Sequence, residues 1–344
     1  MKRTVVFSAL MFLGLGLFAQ NLITVQHNGT PAFYTNITDA MAGALSGDTM
    51  YLPGGIYSAP TTWTINKKLH IYGVGHYPDS TAATGVTEYQ GTIRFITGSD
   101  GSLFTGVKVS GYIYVGSTSG DQTIDGLTIS RCYINNSISL SYNGSATTAG
   151  QNFHIEENVF GSINCGYAKN VYIERNIITS YYLQYLNGNG INTIRNNIFL
   201  ANFYIFNYCT NINIENNVFL ASASYNPISN LANCTLNNNL FVYNLTNLGT
   251  NTGSNNYINQ TQTTIFENQT GYTFNYSHDY RIKDTSPGNN GGIDGTDVGI
   301  FGTATPYKTG AVPAQPHIRE QNISTTTDGD GNINVSIKVG AQDR

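Results

Sequence analysis

The chain has 344 residues, of which only 10% are charged, and its formal net charge of -4 is small. This composition offers neither a basic surface suited to nucleic acid nor an acidic tail, so we expect no nucleic-acid partner. Asparagine, glycine and tyrosine occur 42, 37 and 24 times. Because the asparagines alternate with Ile, Val and Phe, an ordered fold is favoured over a low-complexity chain.

Residues 1–19 have the features of a secretory signal peptide. Lys2 and Arg3 precede an apolar stretch over residues 5–18, and cleavage is expected after Ala19. No later apolar run reaches the roughly 20 residues that span a bilayer. We therefore expect a bacterial exported protein without a transmembrane segment, located in the periplasm, at the cell surface or outside the cell.

Six segments between residues 127 and 241 repeat one short phrase. They read LTISRCYI, FHIEENVF, VYIERNII, NTIRNNIF, INIENNVF and CTLNNNLF. Their alignment produces a column of asparagines headed by Cys132, whose members are Asn158, Asn176, Asn197, Asn217 and Asn239. A phrase that recurs about every 20 residues is the signature of a repeat architecture.

Each phrase predicts a short strand, a bend and a second short strand. Phe153 and Ile155, five and three positions before the column, are apolar, and the residue between them is polar. This alternation indicates a strand with one buried face. Asparagine tolerates the left-handed backbone conformation, so we expect the bend at the column itself and interpret the column as structural.

The pattern resembles the right-handed parallel β-helix of the pectate-lyase-like superfamily. Residues 280–301 look like the last coil of many bacterial members, and four earlier segments look like first coils: 47–57, 65–75, 91–95 and 107–116. The resemblance implies an all-β solenoid over residues 20–305. In residues 36–45, Ile37, Met41 and Leu45 share one helical face, which suits a short capping helix.

Two smaller elements are predicted after the solenoid. Residues 306–318 contain prolines and predict a linker, and residues 319–344 predict a strand pair around the turn at 328–331. The second strand has alternating apolar residues at Ile333, Val335, Ile337 and Val339. We expect this pair to fold against the last coil. The alternative is an edge that pairs with a partner protein or is recognised by a secretion system.

The charged residues of the phrases form two lines when they are compared from turn to turn. Glu174, Arg195 and Glu215 alternate in sign, and so do Arg131, Glu157 and Arg175. Alternation predicts ladders of exposed ion pairs, worth about 0–1 kcal/mol each. The alternative is a catalytic group in which His154 supplies a base beside Glu156 and Glu157, although ion-paired glutamates make poor general acids.

The sequence predicts no cofactor. No run of carboxylates resembles the Ca²⁺ site of the pectate-lyase-like enzymes. Asp294 and Asp297 are the only candidate cation ligands, and capping of their own turns is the simpler explanation of both.

The tyrosines give the stronger indication of binding. Tyr182 shares a repeat phase with Phe203, and Tyr185 shares one with Tyr167 and Phe206. The candidate ligand-binding residues are Tyr167, Tyr181, Tyr182, Tyr185, Tyr204 and Tyr208. Stacked aromatics form either an outer platform for sugar rings or an internal ladder of the core. Because neighbours in a strand point to opposite faces, some of them must lie at the surface.

Three functions remain in competition. The first is a non-catalytic exported protein that binds a polysaccharide or builds part of the cell surface, which the low charge and the self-neutralising ladders favour. The second is a polysaccharide lyase or glycoside hydrolase, as the resemblance implies. The third is a protein-interaction module that uses the C-terminal strands.

Overall fold

The computed structural model describes residues 22–116, 123–141, 149–187 and 190–342. The predicted signal peptide lies outside the described residues. Over these residues the chain forms a parallel β-solenoid of about eight turns, with one α-helix and a C-terminal antiparallel strand pair, which confirms the predicted fold class.

The first sheet has twelve strands that follow one another along the solenoid. In spatial order they are Thr30–Tyr34, Ile23–His27, Thr49–Tyr51, His70–Tyr72, Leu103–Thr105, Thr128–Ser130, Gln151–Glu156, Lys169–Glu174, Asn192–Arg195, Ile212–Glu215, Thr235–Asn237 and Thr252–Ser254. Ile23–His27 pairs antiparallel with both of its neighbours. All later neighbours pair in parallel, as one strand from each successive turn must.

The second sheet has fourteen strands and supplies two further faces of each turn. Nine of them form the second face, namely Gly55–Tyr57, Thr87–Tyr89, Lys108–Val109, Tyr133–Ser139, Val159–Asn164, Ile177–Ile178, Ile198–Phe199, Val218–Phe219 and Leu240–Phe241. The third face continues from the two longest of these and adds Trp63–Ile65, Ile93–Phe95, Ile113–Val115, Leu183–Gln184 and Phe206–Asn207. A separate parallel pair joins Cys209–Thr210 to Leu231–Ala232.

Large apolar side chains fill the interior of the turns. Phe153 and Ile155 are fully buried, as their alternation predicts. On the second face, Phe199, Phe219 and Phe241 stack at ring-centroid distances of 4.6 and 4.7 Å. Each such ring contributes about 1.5–3 kcal/mol through burial, so the repeated phrase builds a continuous core from turn to turn.

The asparagines of the column are fully buried and are bonded between turns. The side-chain oxygen of Asn176 accepts a 2.9 Å hydrogen bond from the backbone N–H of Asn158. Its side-chain nitrogen donates to the carbonyl of Ile155 at 2.7 Å. The same pattern continues from turn to turn as far as Asn256. Because each buried amide has partners, the column stabilises the corner without an unsatisfied polar group.

The prediction that the bend lies at the column is wrong by one residue. The left-handed conformation occurs at the preceding position, with φ between +51° and +56°, in Arg131, Glu157, Arg175, Asn196, Asn216 and Asn238. That residue turns the chain, and the asparagine that follows it is free to place its amide inside the corner.

A hairpin and a helix close the first end of the solenoid. The helix spans Ile37–Gly43, and the side chain of Asn36 caps it by accepting from the N–H of Asp39 at 2.9 Å. Ile37 and Ala40 are buried against the core. Leu45 lies after the helix and is exposed, so the predicted apolar face is correct only in its first part.

Residues 261–316, here named the strap, run back along the outside of the solenoid. Residues 280–301 therefore do not form a last coil. Within the strap, Phe266–Asn268 pairs antiparallel with Asp279–Ile282, after a 3₁₀-helix at Gln262–Thr264. Hydrogen bonds join Gly291 to Asn238, Gly299 to Asn216 and Asn196, Lys308 to Glu157, and Val312 to Arg131. The strap thus contacts the turns in reverse order.

The strap covers apolar side chains that point outward from the second face. These are Val159, Ile177, Ile198, Val218 and Leu240, each the residue after a column asparagine. They pack with Val298, Ile300 and Tyr307 of the strap into a second core outside the turns. The segment predicted to be a linker, residues 306–318, is likewise packed on the solenoid over much of its length, since Tyr307, Ala311 and Val312 are buried.

The C-terminal hairpin pairs His317–Ile323 with Val335–Gly340. It does not lie against the last coil, because the strap carries it back to the early turns. There, it contacts the 3₁₀-helix Asp79–Thr81, and Gln321 donates to the carbonyl of Ala83 at 3.3 Å. The apolar residues of the second strand are exposed, each by 53–59%. No helix among the described residues is long and apolar enough to cross a bilayer.

Candidate functional site

Three candidate tyrosines occupy equivalent corner positions on successive turns. The rings of Tyr167 and Tyr185 lie 5.9 Å apart, and those of Tyr185 and Tyr208 stack at 5.6 Å with an angle of 3°. None of the three is buried, and Tyr208 is 65% exposed. The tyrosines therefore form an outer platform, and the internal ladder is made by phenylalanines instead.

The phase assignment of one aromatic residue is wrong. Phe206, expected to align with Tyr185, is buried and pairs with Leu183. Between its column asparagine and its third-face strand, the turn that contains Phe206 has two more residues than the preceding turn. Counting from the column therefore misplaces Phe206 by two positions. The true neighbour of Tyr185 is Tyr208.

These corner tyrosines have a backbone conformation that bulky residues avoid. Their φ angles are +64° at Tyr167, +59° at Tyr185 and +54° at Tyr208. At the corner that precedes the first sheet, the same conformation is held by asparagines such as Asn170 and Asn211. Left-handed backbone in such a residue costs of order 1–3 kcal/mol and is common at ligand sites. The rings are thus held at this corner at a conformational cost.

A second tyrosine group flanks the same strands on their other side. Tyr181 and Tyr182 contact Phe203, with ring centroids 4.9 and 6.2 Å apart. Tyr204 contacts Phe203 at 5.1 Å, edge to face. The third-face strands Leu183–Gln184 and Phe206–Asn207 therefore have aromatic rings before and after them.

Uncharged polar side chains lie between the two tyrosine groups. One outward residue per turn forms a row from Tyr114 through Ser139, Asn164 and Gln184 to Asn207. Part of this row lines a cavity of about 380 Å³. At its first end the guanidinium of Arg94 lies 5.3 Å from the centre of the Tyr114 ring. We name the row and its flanking tyrosines the trough.

The trough offers uncharged hydrogen-bonding groups and apolar ring faces. Amide side chains such as Gln184 and Asn207 both donate and accept hydrogen bonds, as sugar hydroxyls require. The tyrosine rings add apolar faces and hydroxyl groups. Neighbouring turns are spaced about 4.8 Å, so the row extends about 19 Å.

The charged residues of the phrases form a network that is largely buried. Arg131 Nε lies 3.0 Å from Glu157, Arg175 Nη2 lies 2.5 Å from Glu156, and Arg195 Nε lies 2.8 Å from Glu174. The expectation of exposed pairs is wrong for most of this network, since the side chain of Glu157 is 7% exposed and that of Arg175 is 6% exposed. The strap covers them, and Lys308 donates its backbone N–H to Glu157.

The structure does not assemble the suggested catalytic group. The exposed ring of His154 stacks on Tyr172 at 4.8 Å and 12°. Among the hydrogen bonds of the described residues, none joins His154 to Glu156 or Glu157. Both carboxylates instead bind arginines. The geometry therefore gives no support to general acid–base chemistry at these three residues.

A notch on the first sheet adjoins this network. The outward row there runs Tyr72, Thr105, Ser130 and Glu156, so two small residues separate two large ones. Ser130 donates to Thr105 at 3.0 Å, and both are buried. Together with strap residues such as Gln315, they enclose a cavity of about 490 Å³. No feature of the repeat phrases predicts this notch, because the strap forms one of its walls.

The two candidate cation ligands cap turns of the strap. Asp294 accepts from the hydroxyl of Thr296 at 2.7 Å, and Asp297 accepts from the backbone N–H of Asn290 at 2.9 Å. Burial opposes ionisation of Asp294, but the Thr296 hydrogen bonds and the charge of Arg195 lower its pKa below the usual value. Within the described part of the chain, no group of three or more His, Cys, Asp or Glu side chains is placed to hold a metal ion.

The fold and these surfaces define a parallel β-solenoid with an outer aromatic trough. Comparison of the chain with protein-family models and with curated proteins found no match.

Proposed function

We propose that this chain is an exported, non-catalytic β-solenoid protein that binds a neutral polysaccharide along its trough. The observation that carries the proposal is the stack of Tyr167, Tyr185 and Tyr208, of which the first two are half-buried and the third is exposed, on left-handed backbone where asparagine would be less strained. The predicted signal peptide supports export. The same proposal includes membership of the pectate-lyase-like superfamily, which the repeats resemble, and the right-handed winding of its solenoids.

Two further features support a neutral ligand. The row from Tyr114 to Asn207 offers hydroxyl and amide groups and no charged side chain, and a single arginine stands at its end. Most charged residues of the repeats are instead paired with one another, and the strap bonds to Arg131 and Glu157. An acidic polymer would find little charge to bind in the trough.

The proposal is tested by screening the mature chain on an array of neutral and acidic glycans. We expect binding to a neutral polysaccharide. The double variant Tyr185→Asn, Tyr208→Asn should lose it, because both rings go while the corner backbone stays favourable. Tyr172→Asn is the matched control, since Tyr172 is a stacked tyrosine on the first sheet, outside the trough.

Two results would contradict the proposal. One is a wild-type chain that binds only acidic glycans, or none on the array. The other is release of unsaturated or reducing products from a polysaccharide by the wild-type chain and not by Glu156→Gln, which would favour the lyase or hydrolase alternative.

A further inference from the structure

The notch carries an inference that is independent of the trough. It lies on the first sheet, at the turns that contain Tyr72, Thr105, Ser130 and Glu156, and its cavity of about 490 Å³ falls in the range of small-molecule sites. The depression has a simple origin in the sequence. Thr105 and Ser130 are small, and they stand in register between a tyrosine and a glutamate.

The polar groups of the notch are arranged with one donor left over. Arg175 lines the cavity and is 5% exposed, and its Nε–H has no hydrogen-bond partner among the residues that the structure describes. Nε lies 3.9 Å from a carboxylate oxygen of Glu157, beyond hydrogen-bond distance. Buried donors without a partner are rare in folded proteins, and a bound ligand is one means by which such a donor is satisfied.

The remaining walls indicate what kind of ligand would fit. Glu156, whose side chain is 32% exposed, offers carboxylate oxygens as acceptors. Tyr72 offers a ring that is already ordered by stacking on Tyr51 at 5.8 Å. The surrounding network balances three glutamates against three arginines that contact them, so the notch has no excess charge for an anion or a cation.

We propose that the notch is a second binding site, for one neutral sugar residue. Its hydroxyls donate to Glu156, and its apolar face packs on Tyr72. Because Arg175 Nε is buried, its N–H reaches a further hydroxyl only when the Arg175 side chain shifts toward the sugar. Charge-assisted hydrogen bonds of this kind are stronger than neutral ones, which suits recognition of a single residue. Gln315 and the rest of the strap close the site on one side, so the strap contributes to binding as well as to the fold.

The experiment is a calorimetric titration of the mature chain with the methyl glycosides of glucose, galactose, mannose and xylose. Galacturonate and inorganic phosphate serve as charged comparators. We expect at least one neutral glycoside to bind. Ser130→Leu, which fills the notch, should weaken binding at least tenfold, and Tyr72→Ala should weaken it at least fivefold. Tyr72 is a partly exposed surface residue, so its variant remains informative even where Ser130→Leu fails to fold.

The trough variant separates this inference from the proposed function. Binding that survives the double variant Tyr185→Asn, Tyr208→Asn but is lost in Tyr72→Ala supports the notch. Binding lost only in the trough variant overturns the proposal that the notch is a binding site and leaves the proposed function intact. Tighter binding of galacturonate or phosphate than of every neutral glycoside also overturns it, as does the absence of binding by any of the four glycosides.

Discussion

Two corners of the same turns use left-handed backbone for different purposes. At the corner before the asparagine column, the left-handed residues are Arg131, Glu157 and their equivalents, and their side chains are bonded to the strap or to one another. At the tyrosine corner, the side chains of Tyr185 and Tyr208 are at the surface and contact mainly other tyrosines. Strain at the first corner is offset by internal contacts. Strain at the second is not, which directs attention to an external ligand.

The largest expected effect comes from removing a buried charge at the corner before the asparagine column. Glu157→Ala leaves Arg131 without its 3.0 Å partner and removes the acceptor of the Lys308 N–H. Breaking one side of a buried pair costs about 3–5 kcal/mol. Urea unfolding should show this loss, with Glu215→Ala as a control that changes stability by less than about 0.5 kcal/mol. Equal effects of the two variants would contradict the role assigned to the strap contact.

The next effect tests the column behind that corner. Asn197→Ala removes the acceptor for the backbone N–H of Asn176 and the donor to the carbonyl of Ile173. With buried groups left unsatisfied, we expect a loss of about 2–4 kcal/mol. Asn213→Ala, on the exposed face of the neighbouring strand, is the control. A loss below about 1 kcal/mol for Asn197→Ala would show that water replaces the amide.

The attachment of the strap should depend on pH, whereas binding by the trough should not. Burial, with the nearby charge of Lys108, lowers the pKa of His76 to about 3, and its ring contacts Tyr276 of the strap. Tyr77 and Tyr133 pack on the same ring. Because the unfolded chain binds a proton near pH 6.5 and the folded one does not, this stabilisation is full above about pH 6.5 and falls as the pH drops toward 3.

Limited proteolysis of the strap, compared at neutral pH and about two units lower, measures this effect. We expect faster cleavage at the lower pH in the wild-type chain and a smaller change in His76→Leu. Glycan binding by the trough should be unchanged over the same interval, since no histidine lies in its row. A strap whose cleavage rate does not depend on His76 would refute the assignment.

The smallest expected effect gives the sharpest test of the tyrosine corner. Tyr208→Asn relieves the left-handed tyrosine and should leave stability unchanged or raise it by up to about 1 kcal/mol, while polysaccharide binding falls. The reciprocal change, Asn211→Tyr, places a tyrosine on left-handed backbone at a corner outside the trough. It should cost a similar amount and leave binding intact. Destabilisation by Tyr208→Asn would mean that the ring is held for packing instead.

The sequence predicts the solenoid well because its signal is local and repeated. Alternation at Phe153 and Ile155 and the recurrence of Asn158 each report on contacts between neighbouring turns. The strap is different, since it joins residues about 150 positions apart, such as Lys308 and Glu157. One local signal for it exists: Val159 and Ile177 are apolar at outward positions, which indicates a covering segment.

The positions of some candidate tyrosines on the solenoid were predictable from the sequence, and their detailed geometry was less so. The phase of Tyr167 and Tyr185 correctly places them on successive turns. The alignment of Tyr208 depends on loop length, and the left-handed backbone depends on turn geometry, neither of which the tyrosines themselves encode. The burial of Glu157 was missed for a similar reason, because the burial comes from a distant segment.

The reverse course of the strap has a consequence for cooperativity. A solenoid is held together by nearest-neighbour contacts, and its ends can fray one turn at a time. Here, one segment bonds to the turns of Asn238, Asn216, Asn196, Glu157 and Arg131 in succession. Loss of any of these turns therefore weakens the attachment of the others. The strap converts a quasi-one-dimensional stack into a unit that unfolds as a whole, and it can dock only after those turns have formed.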